Sequence, residues 1–176
     1  MAQTILVVDG EEVIREIVAS MLKLGGYECR GTSNGFAAIG LLRTGEKIDL
    51  ILSELMMSEM DGIQLLERVK EKYPGLPVVF VTAVYDESVV KAAMSSGACD
   101  YLLKPFEREQ LLATVRRALN SGVQTAAHRE EVVARVCREI EVSKKRKSGK
   151  RKRVAHSKTV RSTFRESLRS RTNLPK

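Results

Sequence analysis

Asp49-Leu50-Ile51-Leu52-Ser53-Glu54-Leu55-Met56-Met57-Ser58-Glu59-Met60-Asp61-Gly62 is the stretch on which the fold turns. Leu50 to Leu52 is a short apolar run that reads as a buried strand, and Asp61-Gly62 punctuates the backbone before a helical pattern begins. Glu54 therefore stands at the C-terminal end of a strand, where open parallel sheets put their working groups.

The chain on either side repeats this grammar. Upstream, Thr4 to Val8 is a β-branched run ending at Asp9-Gly10, followed by helical spacing of Val13, Ile14, Ile17, Val18, Met21 and Leu22 that Gly25-Gly26 stops. Tyr27 to Gly31 reads as a weaker, more polar strand nearer a sheet edge, and Asn34 as the cap of a helix through Leu42. Downstream, helices are expected over Ile63–Tyr73, after Asp86, and over Glu107–Asn120. Strands are expected at Val78–Val81 and Asp100–Leu103, the latter closed by Lys104-Pro105-Phe106. Five strands alternating with five helices over short connections predict a doubly wound α/β domain. In that architecture Asp9, Glu54, Thr82 and Lys104 converge on one edge of the sheet.

With 43% hydrophobic and 30% charged residues in 176, the composition is that of a globular protein, and the net charge of +8 is unevenly spread. From Ser143 to Lys176 there are fourteen Lys and Arg against one acid, Glu166; the remainder holds 16 basic and 21 acidic residues. A mildly acidic domain thus precedes a strongly basic tail. Three cysteines, Cys29, Cys99 and Cys137, show no disulfide or metal spacing and read as thiols of a reducing compartment. No apolar run approaches the roughly 20 residues of a membrane helix, and the N-terminus lacks a signal-peptide pattern, so a cytoplasmic protein is expected. His128 and His156 stand apart from carboxylates and cysteines, which argues against a metal or phosphohistidine role. Met56, Met57 and Met60 read as loop and core packing.

Ile-Leu-Val-Val-Asp, Leu-Met-Met-x-x-Met-Asp-Gly, Val-Thr-Ala, Gly-Ala-x-Asp-Tyr-Leu-x-Lys-Pro-Phe and Arg-Arg-Ala-Leu follow one another in the order and spacing of a bacterial two-component receiver domain. Over about residues 3 to 120 the chain resembles that family. The resemblance implies a flavodoxin-like (βα)5 fold with a parallel five-stranded sheet of order 2-1-3-4-5, the order of the chemotaxis receiver. It also implies a place in a phosphorelay: an aspartate after the third strand accepts a phosphoryl group from a histidine kinase. Two acids after the first strand hold magnesium, a Thr or Ser after the fourth binds a phosphate oxygen, and a Lys after the fifth adds positive charge. Thr82, Lys104 and Asp9 match these positions, and Tyr101 matches the aromatic that turns inward on activation.

Two positions depart from the pattern. Gly10 replaces the second acid, and Glu54 stands at the phospho-acceptor position. Magnesium is usually held by one or two carboxylates plus phosphate and water. With Gly10, only a weak residual site at Asp9, Glu54 and the Met56 backbone is expected, and no cofactor otherwise. The Glu54 carboxylate reaches about 1.5 Å further than an aspartate's, and misplacement on that scale costs on the order of a hundredfold in a positioned reaction. The expectation is a degenerate pseudo-receiver that is not an enzyme. Glu54 then either mimics a phosphoryl group towards Lys104 and Thr82 or forms an inert ion pair; the alternative is a working acceptor with a weakened magnesium site.

The predicted organisation is a receiver-like domain at 1–121, an amphipathic helical linker at 122–142 and a basic tail at 143–176 that is disordered when free. Ala126, Val132, Val133, Val136 and Ile140 give the linker its helical stripe, suited to docking on the domain or on a second copy. The tail offers Lys144, Lys145, Arg146, Lys147, Lys150, Arg151, Lys152 and Arg153, then Arg161, Arg165 and Arg169 at four-residue spacing. Such a run suits non-specific contacts to nucleic acid or another anionic surface, though no sequence-reading DNA motif is present. Expected partners are a signalling protein such as a histidine kinase, and, by family analogy, a second copy through the face of the fourth helix, fifth strand and fifth helix, about residues 88 to 120.

Overall fold

The computed structural model describes residues 2–120 and 125–146. In chain order the elements are β1 (Thr4–Val8), α1 (Glu12–Leu24), β2 (Glu28–Thr32), α2 (Gly35–Arg43), β3 (Leu50–Ser53), α3 (Gly62–Lys72), β4 (Val78–Thr82), α4 (Glu87–Ser95), β5 (Asp100–Leu103) and α5 (Arg108–Asn120). A further helix, α6, spans 126–146. The strands form one sheet of order β2-β1-β3-β4-β5 with every pairing parallel. The predicted doubly wound receiver fold is thus the observed one.

Local chemistry sets the helix starts. Asn34 accepts the Ala37 N–H at 2.9 Å, and Asp61 accepts the Gln64 N–H while Gln64 reaches back to the Asp61 N–H, a reciprocal capping box. Asp86 caps α4 through the Ser88 N–H. Caps of this kind contribute about 1 kcal/mol each. Gly62 is required by space: a Cβ there would lie 2.7 Å from the Glu54 carbonyl oxygen and 2.9 Å from Leu55 Cα. That close approach folds the loop after β3 back on itself, with the Gly62 N–H donating to the Leu55 carbonyl.

The core follows the strand runs read from the sequence. Ile5, Val7, Leu50, Leu52, Val79 and Val81 pack with Val18 and Leu22 of α1 and with Leu111 and Val115 of α5. Each such side chain contributes about 1.5–3 kcal/mol by leaving water, and together they hold the strand ends in register.

Two compact units divide the chain, Met1–Cys137 and Arg138–Lys176. The first therefore extends past the predicted end of the receiver-like domain and takes in the opening turns of α6. Of the second, residues 138–146 are described and are helical. The helix expected to end at 142 continues to 146, so Lys144, Lys145 and Arg146 lie on it rather than in an extended tail. Lys147, Lys150, Arg151, Lys152, Arg153, Arg161, Arg165 and Arg169 lie outside the described residues. Among the described residues no helix is long and apolar enough to cross a membrane.

Candidate functional site

Three strand ends deliver the charged groups of one pocket. Asp9 follows β1, Glu54 follows β3 with its N–H on the Val8 carbonyl, and Lys104 follows β5 with its N–H on the Thr82 carbonyl. The Lys104 ammonium donates to Asp9 Oδ2 and to Glu54 Oε2, each at 2.7 Å. The remaining oxygens are also engaged. Asp9 Oδ1 accepts the Glu11 N–H at 2.9 Å; Glu54 Oε1 accepts the N–H groups of Leu55 at 2.7 Å and Met56 at 3.2 Å. All three side chains are mostly buried, so water screens the cluster little.

Burial works against the Lys104 ammonium, but hydrogen bonds and charge from Asp9 and Glu54 outweigh it, and the group is held protonated above its ordinary range. One lysine between two carboxylates leaves the pocket with one formal negative charge. That charge reaches Tyr101. Burial first, then Glu54 and Asp86, push its phenol well above the usual tyrosine value. The Tyr101 ring is fully buried, meets Phe80 edge-on, and its hydroxyl donates to the Val84 carbonyl at 3.0 Å. Tyr101 is therefore in the inward position.

Thr82 does not join the cluster. Its hydroxyl oxygen accepts the Val84 N–H at 3.3 Å, tying down the loop after β4. The expectation that Thr82 binds the Glu54 carboxylate is corrected on this point: Glu54 has three donors already, two from its own loop and one from Lys104.

The same accounting bears on magnesium. Gly10 offers no ligand side chain, and every carboxylate oxygen of Asp9 and Glu54 already accepts a protein donor. These residues do not fit an octahedral magnesium site, which asks for free carboxylate oxygens. Space is not what is missing, since a Cβ built at Gly10 meets nothing closer than the Ser33 carbonyl oxygen at 3.9 Å.

A second charged cluster was not foreseen. Asp100, at the start of β5, accepts Arg117 of α5 on Oδ2 at 2.9 Å and Arg135 of α6 on Oδ1, where the Tyr101 N–H also donates at 2.7 Å. His128, read as isolated, places Nε2 at 3.0 Å from the Cys99 carbonyl. A carbonyl only accepts, so Nε2 carries the hydrogen. No sequence spacing links residues 29 or 35 positions apart. The Asp-Tyr-Leu motif alone did not show that its aspartate needs two arginines.

Comparison with known proteins agrees with the geometry. The family model described as response regulator receiver domain matches residues 5–116. The chain is 39% identical over 117 residues to the response regulator protein FleR of Pseudomonas aeruginosa, covering 66% of this chain and 24% of FleR. It is 33% identical over 120 residues to a cyclic di-GMP phosphodiesterase of Thermotoga maritima, covering 68% of this chain and 32% of that protein. The chain thus spans about a quarter to a third of the length of these curated relatives. Among solved structures, the chemotaxis protein CheY4 of Vibrio cholerae superposes with a TM-score of 0.64 at 28% identity, over 68% of this chain and all of that one. The receiver domain of NtrX from Brucella abortus does so with a TM-score of 0.63 at 31% identity, over 66% of this chain and 98% of that one. The chain belongs to the response regulator receiver domain family of two-component signalling.

Proposed function

We propose that this receiver is not phosphorylated, catalyses no phosphoryl transfer, and signals in the cytoplasm through protein contacts set by Glu54. The observation that carries the reading is the closed cluster of Asp9, Lys104 and Glu54, with the Leu55 and Met56 N–H groups on the acceptor-position carboxylate. Phosphoryl transfer requires an in-line acceptor and a cation for the equatorial oxygens; here the acceptor's oxygens are bound and the cation is the chain's own ammonium. Glu54 brings one negative charge against nearly two on a phosphoryl group, so it is a partial stand-in. The inward Tyr101 supports that stand-in reading over an inert pair.

Intact-mass measurement after incubation with acetyl phosphate and magnesium tests it. Wild type is expected to gain no phosphoryl group, while Gly10→Asp with Glu54→Asp is expected to gain one, because it restores both missing carboxylate positions. Stoichiometric labelling of the wild type at Glu54 would establish the working-acceptor alternative instead.

The basic residues from Lys144 onward are proposed to bind a polyanion, with nucleic acid the simplest. Fourteen Lys and Arg among 34 residues support this. Affinity for duplex DNA is expected to fall steeply with salt and to be lost on removal of residues 143–176; affinity indifferent to both would refute it.

A further inference from the structure

The two edges of the sheet are treated differently. β2, at one edge, is exposed or half-buried along its length, whereas β5, at the other, is buried at every position. An edge strand left bare is an invitation to another chain. Here α6 contacts it within the first compact unit. His128 donates to the Cys99 carbonyl at 3.0 Å, and Arg135 donates to the Tyr101 carbonyl at 3.3 Å as well as to the Asp100 carboxylate. Val132 and Val136 are buried. Positions 128, 132, 135 and 136 have the spacing of a single helix face.

We propose that β5 and Asp100 form a docking surface for an arginine-bearing amphipathic helix, and that residues 126–137 of the same chain fill it in cis. Asp100 supplies the selectivity. It is buried, and its two oxygens divide between Arg117 and Arg135. The planar guanidinium at 135 reaches both the carboxylate and the neighbouring carbonyl, which a lysine ammonium serves less well. Cover is along β5 more than α4, because a groove lined by Lys91, Met94, Arg129 and Val133 remains between α4 and α6. Any partner that uses β5 must therefore first displace α6, and this includes the second copy expected at the face of α4, β5 and α5. The inference is independent of what Glu54 does.

Hydrogen exchange of the full chain tests it. Most of a helix's stability in a protein comes from packing of its amphipathic face and not from propensity, so slow exchange of amides 129–137 reports docking. Wild type is expected to protect them, and the Tyr101 amide held by Asp100, equally at two protein concentrations about a hundredfold apart. Arg135→Ala is expected to speed both on the order of tenfold or more, leaving β1 and β3 unchanged. Val132→Asp with Val136→Asp, which breaks the apolar half of the contact, is expected to do the same. Unchanged exchange in Arg135→Ala removes Asp100 as the selective element and overturns the proposal. Protection that grows with concentration, alongside a doubled mass by light scattering, also overturns it by placing a second copy's helix in the seat.

Discussion

β5 carries an ion cluster at each end, and the two are of opposite composition. After its C-terminal end, one lysine is shared by two carboxylates; at its N-terminal end, one carboxylate is shared by two guanidiniums. Buried charge is tolerated only when paired, so each shared group is the keystone of its cluster. The partners differ in their access to water. The Asp9 and Glu54 side chains are 6% and 12% exposed, whereas those of Arg117 and Arg135 are 45% and 29% exposed. Stranded carboxylates at the first cluster cannot be rehydrated without opening the pocket; stranded guanidiniums at the second can turn outwards.

That contrast predicts unequal costs for removing the two keystones. Lys104→Met should destabilise the domain by about 3 kcal/mol near neutral pH, since it leaves two like charges buried together. Asp100→Ala should cost about 2 kcal/mol, the loss of charge-assisted hydrogen bonds without a stranded buried charge. Urea denaturation of both variants checks the order, and a larger loss at Asp100 would show that access to water does not set the cost of a stranded partner.

The same contrast explains what the sequence made legible. Asp9, Glu54 and Lys104 could be brought together from the chain alone because a parallel sheet carries each strand's C-terminal end to one edge, and the strand runs are unambiguous. Strand boundaries erred by a residue at three strands: β3 and β4 each run one residue further, to Ser53 and Thr82, and β2, a weak polar strand, starts and ends one residue later because pairing with β1 and not its own composition sets its place. Thr82 was placed at the correct edge, but its hydroxyl oxygen takes the Val84 N–H and does not reach into the cluster, a matter of loop geometry that its position after β4 does not encode. The Asp100 cluster was illegible for a different reason. Its second arginine comes from α6, 35 residues away, and the amphipathic stripe of that helix was compatible equally with the domain or with another molecule.

The smallest expected effect is the most specific to Glu54. Burial is the leading cause holding the Tyr101 phenol above its ordinary value of 10.0, with the Glu54 charge next. Glu54→Gln keeps an oxygen for the Leu55 and Met56 N–H groups but removes the charge and turns an amide NH2 towards the Lys104 ammonium, which then keeps Asp9 as its carboxylate partner, so stability near neutral pH should fall by about 1 kcal/mol. Tyr101 should then ionise at lower pH than in wild type, yet still above the ordinary value because burial is untouched. Phenolate absorbance during alkaline titration, read against a Tyr101→Phe variant, isolates this group. The sign for stability follows from the raised pKa values: the fold prefers protonated Tyr101 and protonated Lys104. Their contribution is complete below the ordinary values of 10.0 and 10.5 and is lost as pH climbs through the higher folded values. In Glu54→Gln that loss should begin earlier on the alkaline side. If Tyr101 ionises at the same pH with and without the Glu54 charge, the pocket does not communicate with its aromatic, and the stand-in reading of Glu54 gives way to an inert ion pair.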